Sequence, residues 1–207
     1  MALIETLVDP FNQATLNTGL WSQFTAGSAT FTYGATGAQV NFPATSSSST
    51  DGDITSVSSY DLTGSYVYMQ VLNTLSGTNN DCNLTLLSPN TSNAYQWQLE
   101  AGTLYAQRIK TGTQTNAFSI AYNATTMKWL RIANLSGTNI TWDTSPDGVT
   151  WTNRLTFTNN LTITAVKVNI AAVSFGIDSS AGNFKWNNFN TTGAVAPSNT
   201  GAFFALM

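Results

Sequence analysis

The stretch from Lys128 to Arg154 alternates short runs of aromatic and β-branched residues with the residues of tight turns. Gly, Pro, Asn and Asp supply the preset or positive φ that turns require, and the intervening residues suit a pleated, half-buried surface. The stretch therefore predicts three strands, at residues 129–132, 140–143 and from 150 onwards, joined by turns at residues 136–139 and 145–148. Such an antiparallel meander commits the chain to an all-β fold.

The same period-2 pattern recurs along most of the sequence, with turn residues between the segments. In residues 95–100, for example, Tyr95 and Trp97 fall on one face while Gln96 and Gln98 fall on the other. Because this number of strands is too large for one flat sheet, we expect two sheets packed face to face. The predicted strands are residues 29–33, 39–42, 53–56, 66–72, 82–88, 95–100, 103–110, 118–121, 128–134, 139–144, 153–158, 165–174 and 182–190.

Length and charge narrow the classes of protein further. A chain of 207 residues fits one all-β domain. The net charge is −3 and the seven basic residues are scattered, so no nucleic-acid partner is expected. No apolar run is long enough to predict a membrane span. Glu5 stands where a signal peptide carries positive charge, so no signal peptide is expected either.

The sequence predicts no cofactor and no metal site. Cys82 is the sole cysteine and is expected to be a small buried residue. Asp51 and Asp53 are weak candidates for calcium, because two carboxylates in one segment fall far short of the six to eight oxygens that calcium takes.

Several motifs of the sequence resemble those of a known family. They are DPFN and LNTGLWSQF near the start, YDLTGSYVYMQV, the meander WLRI to TSPDG and TWT, and FGIDSSAGNFKWNNF near the end. Together they resemble the concanavalin A-like lectin/glucanase jelly-roll domain of the kind found in bacteriophage tail, fibre and capsid-surface proteins. The resemblance spans residues 9–190. It implies a two-sheet antiparallel jelly-roll sandwich over residues 1–190. The segment that follows is small, polar and Pro-containing and ends in an apolar run, which predicts an extended C-terminal arm over residues 191–207.

The residues argue against catalysis. The chain has no His, which removes the common His-based mechanisms. Its only glutamates are Glu5 and Glu100, and neither lies in the Glu-x-Asp-x-x-Glu motif that the glucanases of this fold carry on one strand. Asp143 and Asp147 flank a turn and need not converge, whereas glycoside hydrolysis requires two carboxyl groups at a defined separation. The sequence therefore predicts that the protein is not an enzyme.

The main functional hypothesis is a structural protein of a bacteriophage virion, displayed in multiple copies on the tail, fibre or capsid. It rests on the resemblance, the low charge and the apolar C-terminal arm, whose Phe203, Phe204, Leu206 and Met207 are expected to dock on the chain's own core or on a partner subunit. The expected partners are other copies of the chain, other virion proteins and a host-surface glycan. The expected location is the virion, after synthesis in the host cytoplasm.

The alternative hypothesis is a carbohydrate-binding, lectin-like module for cell-surface or polysaccharide glycans. Its candidate residues are Tyr95, Trp97, Tyr105 and Arg108, on two strands that pair through the turn at residues 101–102. The competing interpretation of these side chains is that they form the core. The same choice applies to the meander tryptophans, for which packing is the preferred interpretation, and Asp147 is expected to cap its own turn.

Overall fold

The described residues fold into two packed antiparallel sheets, each of seven strands. The computed structural model describes residues 1–44, 49–90, 92–175 and 181–191. One 3-10 helix at Ile4–Thr6 precedes the strands. The predicted all-β sandwich is confirmed. Among the described residues no helix is long and apolar enough to cross a membrane.

The strands are numbered in chain order and form two sheets, here called sheet A and sheet B. In spatial order, sheet A contains β1 (Trp21–Ala26), β4 (Thr50–Ser56), β13 (Lys167–Ser174), β6 (Asn80–Leu87), β7 (Ala94–Glu100), β8 (Thr103–Lys110) and β9 (Thr113–Ala121). Sheet B contains β12 (Thr152–Thr158), β11 (Asn139–Ser145), β10 (Trp129–Ala133), β5 (Tyr66–Asn73), β14 (Gly182–Asn187), β3 (Gly37–Phe42) and β2 (Thr30–Gly34).

The predicted meander is present as β10, β11 and β12, which pair in sequence. Asp147 closes the second turn, because its Oδ1 accepts hydrogen bonds from the backbone N–H groups of Val149 at 2.9 Å and Thr150 at 2.7 Å. The strand without a predicted counterpart is β1. Only Trp21 of its six residues is buried, so β1 lacks the alternation by which the other strands are recognised.

Two tryptophans join the sheets across the core. Trp97 of β7 donates its indole N–H to the backbone oxygen of Arg131 in sheet B, at 2.9 Å. Trp142 of β11 donates its own indole N–H to the backbone oxygen of Gln96 in sheet A, at 3.0 Å. Both rings are fully buried. The two bonds run in opposite directions and fix β7 against β10 and β11.

The N-terminal segment is tied to the end of the described chain. The carboxylate of Asp9 accepts a hydrogen bond from the Trp21 indole at 2.9 Å and one from the backbone N–H of Phe11 at 2.7 Å. Asp9 also forms an antiparallel bridge with Phe189. The segment before β1 is therefore part of the sandwich. The predicted arm residues Phe203, Phe204, Leu206 and Met207 lie outside the described residues, and the predicted domain boundary at residue 190 stays a prediction.

The space between the sheets leaves no room for a side chain at Gly52. A Cβ there would collide with Val40 Cγ2. We expect Gly52→Ala to lower the free energy of unfolding by about 1 to 3 kcal/mol, as overpacking of a core does. Gly34→Ala is the matched control, because a Cβ at Gly34 meets nothing within 4 Å and the backbone there is not left-handed. Chemical denaturation of both variants measures the effect, and equal stabilities would contradict the close approach.

Candidate functional site

The outward face of sheet A carries a grid of polar side chains. Because paired residues on neighbouring strands point to the same side, the register defines rows across the sheet. One row runs from Asn169 through Thr85 and Gln96 to Gln107, and the next contains Asn83. We call this surface the polar face, and its members are Asp51, Asp53, Thr55, Asp81, Asn83, Thr85, Gln96, Gln98, Glu100, Gln107 and Asn169.

Five of these residues form a directional chain of hydrogen bonds, which we call the amide chain. Thr85 donates its hydroxyl to Gln96 Oε1 at 3.0 Å, and Gln96 Nε2 donates to Gln107 Oε1 at 3.1 Å. The amide nitrogen of Gln107 donates to Gln98 Oε1. Gln98 Nε2 then donates to Asp81 Oδ2 at 2.6 Å. All five residues are buried, so the side chains satisfy each other in place of water.

The strands β4 and β13 hold a second polar group on the same face. Asn169 Nδ2 donates to Asp53 Oδ1 at 3.0 Å and to Thr55 Oγ1 at 2.9 Å. Burial raises the pKa of Asp53, and the hydrogen bonds from Thr55 and Asn169 partly offset that rise. The Asp53 carboxylate is thus positioned by its neighbours and does not rotate freely.

An open depression of about 330 Å³ lies on the polar face. Ala171 and Val173 of β13 form part of its floor, where short side chains leave space above the sheet. Polar groups from the neighbouring strands surround them, including Asp53 on β4, Asn83 on β6 and Gln96 on β7. The depression therefore offers amide and carboxylate groups around an apolar floor.

Carboxylates gather at one end of the polar face. Asp51 and Asp81 both pair with Val173, and Asp81 pairs on its other side with Glu100. Burial raises the pKa of Asp81 to about 6, against the hydrogen bond from Gln98 and with a smaller rise from the charge of Glu100. The Oδ1 atoms of Asp51 and Asp81 are buried and accept no hydrogen bond from the residues that the structure describes.

No basic side chain neutralises these carboxylates within the part of the chain that the structure describes. The ion pair found there joins Arg131 to Asp143 on sheet B, at 3.0 Å. Lys167 is the basic residue on the outward face of sheet A, but it pairs with Leu87 at the far end of β13. No group of three or more His, Cys, Asp or Glu residues is placed to hold a metal ion in the described ranges.

The structure separates the four predicted glycan-binding residues. Tyr95 and Trp97 are buried in the core between the sheets. Arg108 pairs with Tyr95 and so lies on the core side, where its guanidinium stacks 5.0 Å from the ring centre of Phe157. Tyr105 alone shares the outward side, because it pairs with Gln98. Glycan contact by these four residues stays a prediction, but they do not form one surface.

The meander tryptophans pack within the protein, as the sequence interpretation prefers. Trp142 lies in the core, and Trp129 and Trp151 lie on the outward side of sheet B. There the ring of Tyr68 is 5.9 Å from Trp129 and 5.6 Å from Trp151, and the Arg131 guanidinium is 4.3 Å from the ring centre of Trp151. The remaining sequence candidates, Asp51 and Asp53, lie on β4 at the polar face.

Sequence reasoning did not identify the polar face as a site. The alternation in residues 95–100 does place Gln96 and Gln98 on the side opposite Tyr95, and that signal was available. It does not reveal that β13, from late in the chain, inserts between β4 and β6. That insertion is what brings Asn169 beside Asp53 and places Asp51 two strands from Asp81.

Comparisons with known proteins identify the fold. No protein-family model and no curated protein matches the chain. Among solved structures, the β-glucanase of Bacillus licheniformis is similar with a TM-score of 0.64 and 12% identity, over 88% of this chain and 94% of that chain. A glycoside hydrolase family 16 endo-glucanase from Bacteroides ovatus is similar with a TM-score of 0.62 and 9% identity, over 88% and 98%. The carbohydrate-binding module CBM66 from Bacillus subtilis has a TM-score of 0.51 and 13% identity, over 83% and 99%.

These comparisons confirm that the chain has the concanavalin A-like jelly-roll fold. At such low identity they show the fold alone. They give no support to the bacteriophage part of the predicted resemblance or to the predicted virion role. The expected virion partners and location are not tested and stay predictions.

The prediction that the protein is not an enzyme is contradicted by these comparisons, because two of the three structures are glucanases by name. That prediction considered only carboxylates that are close in sequence, whereas carboxylates on different strands can lie side by side. Spacing within one segment could not show that Asp51, Asp81 and Glu100 lie in one row at the same end of the polar face.

The burial of Asp81 predicts a pH-dependent stability. Its pKa in the folded chain, about 6, lies above the ordinary value of 3.8, so the folded state holds the proton more tightly. The stabilisation from this proton is complete below the ordinary pKa and is lost as the pH rises to about 6. We expect Asp81→Asn, which keeps an oxygen for Gln98, to be about 1 to 3 kcal/mol more stable than the wild type at pH 7 and similar to it near pH 4.

Thermal unfolding of both proteins across this pH range measures the difference. Asp61→Asn is the matched control, since Asp61 lies away from the polar face and Asn retains an acceptor for the Thr63 backbone N–H. A difference between Asp81→Asn and the wild type that does not change with pH would contradict the assignment to Asp81.

Proposed function

We propose that this chain binds a polysaccharide along the polar face of sheet A. The observation that carries the proposal is the depression in which amide and carboxylate groups surround the short side chains of Ala171 and Val173. Sugar hydroxyls both donate and accept hydrogen bonds, and the depression is lined by the Asn83 amide and by the Asp53 carboxylate, which accepts. The similarity of fold to a carbohydrate-binding module supports the same reading.

The preorganisation of the site also favours binding. The side chains of the amide chain are held by each other, so a ligand does not have to immobilise them. The Trp142 indole holds the backbone oxygen of Gln96 from the core side at 3.0 Å. A rigid surface of this kind loses little conformational entropy when a chain of sugars lies across it.

Filling the depression tests the binding site. We expect Ala171→Trp to weaken binding to a retained neutral polysaccharide by roughly tenfold or more, because the indole would occupy the space above the sheet. The measurement is affinity electrophoresis through gels containing mixed-linkage β-glucan, agarose or xyloglucan. Circular dichroism establishes that the variant is folded.

Leu72→Trp serves as the matched control, since Leu72 is 37% exposed and lies on sheet B, away from the polar face. It introduces the same side chain without entering the depression, so its affinity should equal that of the wild type. Equal retardation of Ala171→Trp and the wild type would refute binding at this face.

A second candidate function is hydrolysis of the bound polysaccharide. Asp51 and Asp81 lie on strands separated by β13 alone, which places their Cα atoms about 9.5 Å apart. An inverting glycosidase holds its two carboxyl groups about 6.5 to 9.5 Å apart, and side chains on the same face of strands with this Cα spacing can reach that range. Burial raises the pKa of Asp81 to about 6, so a protonated fraction is available at neutral pH to act as a general acid. The general base would be Asp51.

Release of reducing ends from the polysaccharides that bind tests this candidate. We expect Asp51→Asn and Asp81→Asn each to lower the rate by roughly a hundredfold or more, as loss of an acid or base does. Asp61→Asn should retain the wild-type rate. A wild-type chain that binds a polysaccharide but releases no reducing ends from it would refute hydrolysis and leave the binding proposal intact.

A further inference from the structure

The carboxylate end of the polar face lacks a counter-charge. Asp51, Asp53, Asp81 and Glu100 come from three strands of sheet A, and the ion pair of the described residues lies on sheet B. Coulombic repulsion from Asp53 adds to burial in raising the pKa of Asp51. The site therefore concentrates negative charge that the described part of the chain does not balance.

Two buried oxygens at this end also lack hydrogen-bond donors. Asp81 is 5% exposed, and while Gln98 donates to its Oδ2, its Oδ1 has no partner among the described ranges of the chain. Asp51 Oδ1 is unpartnered as well, and Asp51 lines the depression. A buried carboxylate oxygen without a donor is costly, and a cationic donor stabilises it best.

The missing partner of these two oxygens is supplied better by a ligand than by a metal ion. The described residues contain no group of three acidic or other metal-ligating side chains close enough to hold an ion, whereas calcium takes six to eight oxygens. An ammonium group needs only a few acceptors, because it carries three N–H donors. A sugar chain lying in the depression would present such a group to Asp51 directly and to Asp81 across Val173.

We propose that the polar face recognises a polysaccharide bearing free amino groups, and that Asp51 and Asp81 form the subsite for its ammonium. This inference rests on the proposed binding at the polar face and adds the class of ligand. The same charges disfavour uronic or sulfated polysaccharides, because like charges across an interface repel. Lys167, at the opposite end of β13, does not offset that repulsion at the subsite.

Three hexasaccharides with the same β-1,4-linked backbone isolate the ammonium. They are the hexamers of glucosamine, of N-acetylglucosamine and of glucose, which differ at the second carbon of each sugar. Isothermal titration of the full chain at a pH between 6 and 7 should give an affinity for the glucosamine hexamer roughly tenfold above that for the other two, the value of one charge-assisted contact. Asp51→Asn and Asp81→Asn should each remove this preference, and Asp61→Asn should keep it.

The outcomes separate the two proposals. The ammonium subsite alone is overturned if the three hexamers bind with equal affinity while a neutral polysaccharide still retards the wild type and Ala171→Trp abolishes that retardation. The ammonium subsite is also overturned if the preference for glucosamine persists in both Asp51→Asn and Asp81→Asn, or if Asp61→Asn removes it equally. Either result would mean that the preference comes from general charge attraction. Calcium titration that produces heat lost in Asp51→Asn also overturns it in favour of a metal. Absence of binding to every saccharide defeats the proposed function itself.

Discussion

The two indole hydrogen bonds across the core are the constraint on which the rest of the structure depends. Trp97 and Trp142 each donate to a backbone oxygen of the opposite sheet. A buried indole N–H without an acceptor costs free energy, so these bonds favour the observed position of β7 against β10 and β11. Since Gln96 supplies one of the acceptors, the same contact fixes the strand from which the polar face is organised.

The strands of sheet A carry apolar side chains on the core side and polar side chains on the outward side. The core side of β7 carries Tyr95 and Trp97, and the outward side carries Gln96 and Gln98. All four are buried, which is unusual for amides on an outward surface. Their burial is tolerated because neighbouring polar side chains satisfy them, and a surface of this kind is more costly to build than one open to water.

The strands could be predicted from the sequence because alternation is local, and the segment 103–110 coincides with β8. The edge strand β1 was not predicted, because its largely exposed residues do not alternate between apolar and polar. The candidate site escaped for a different reason. The sequence offers Tyr95 and Trp97 equally as sugar-binding aromatics and as core residues, because period 2 cannot say which side of a strand meets the core. The grouping of Asp51 with Asp81 depends on sheet order, which is set by contacts between distant segments.

The hydrogen bonds of the amide chain all point the same way, from the Thr85 hydroxyl to the Asp81 carboxylate. An ionised carboxylate can only accept, so it fixes the orientation of Gln98 and, through it, of Gln107 and Gln96. One carboxylate at the end of the row therefore sets the direction of every hydrogen bond before it. Side branches from Gln96 Nε2 to Asn83 Oδ1 and from Gln107 Nε2 to Asn116 Oδ1 hold the same amide orientations.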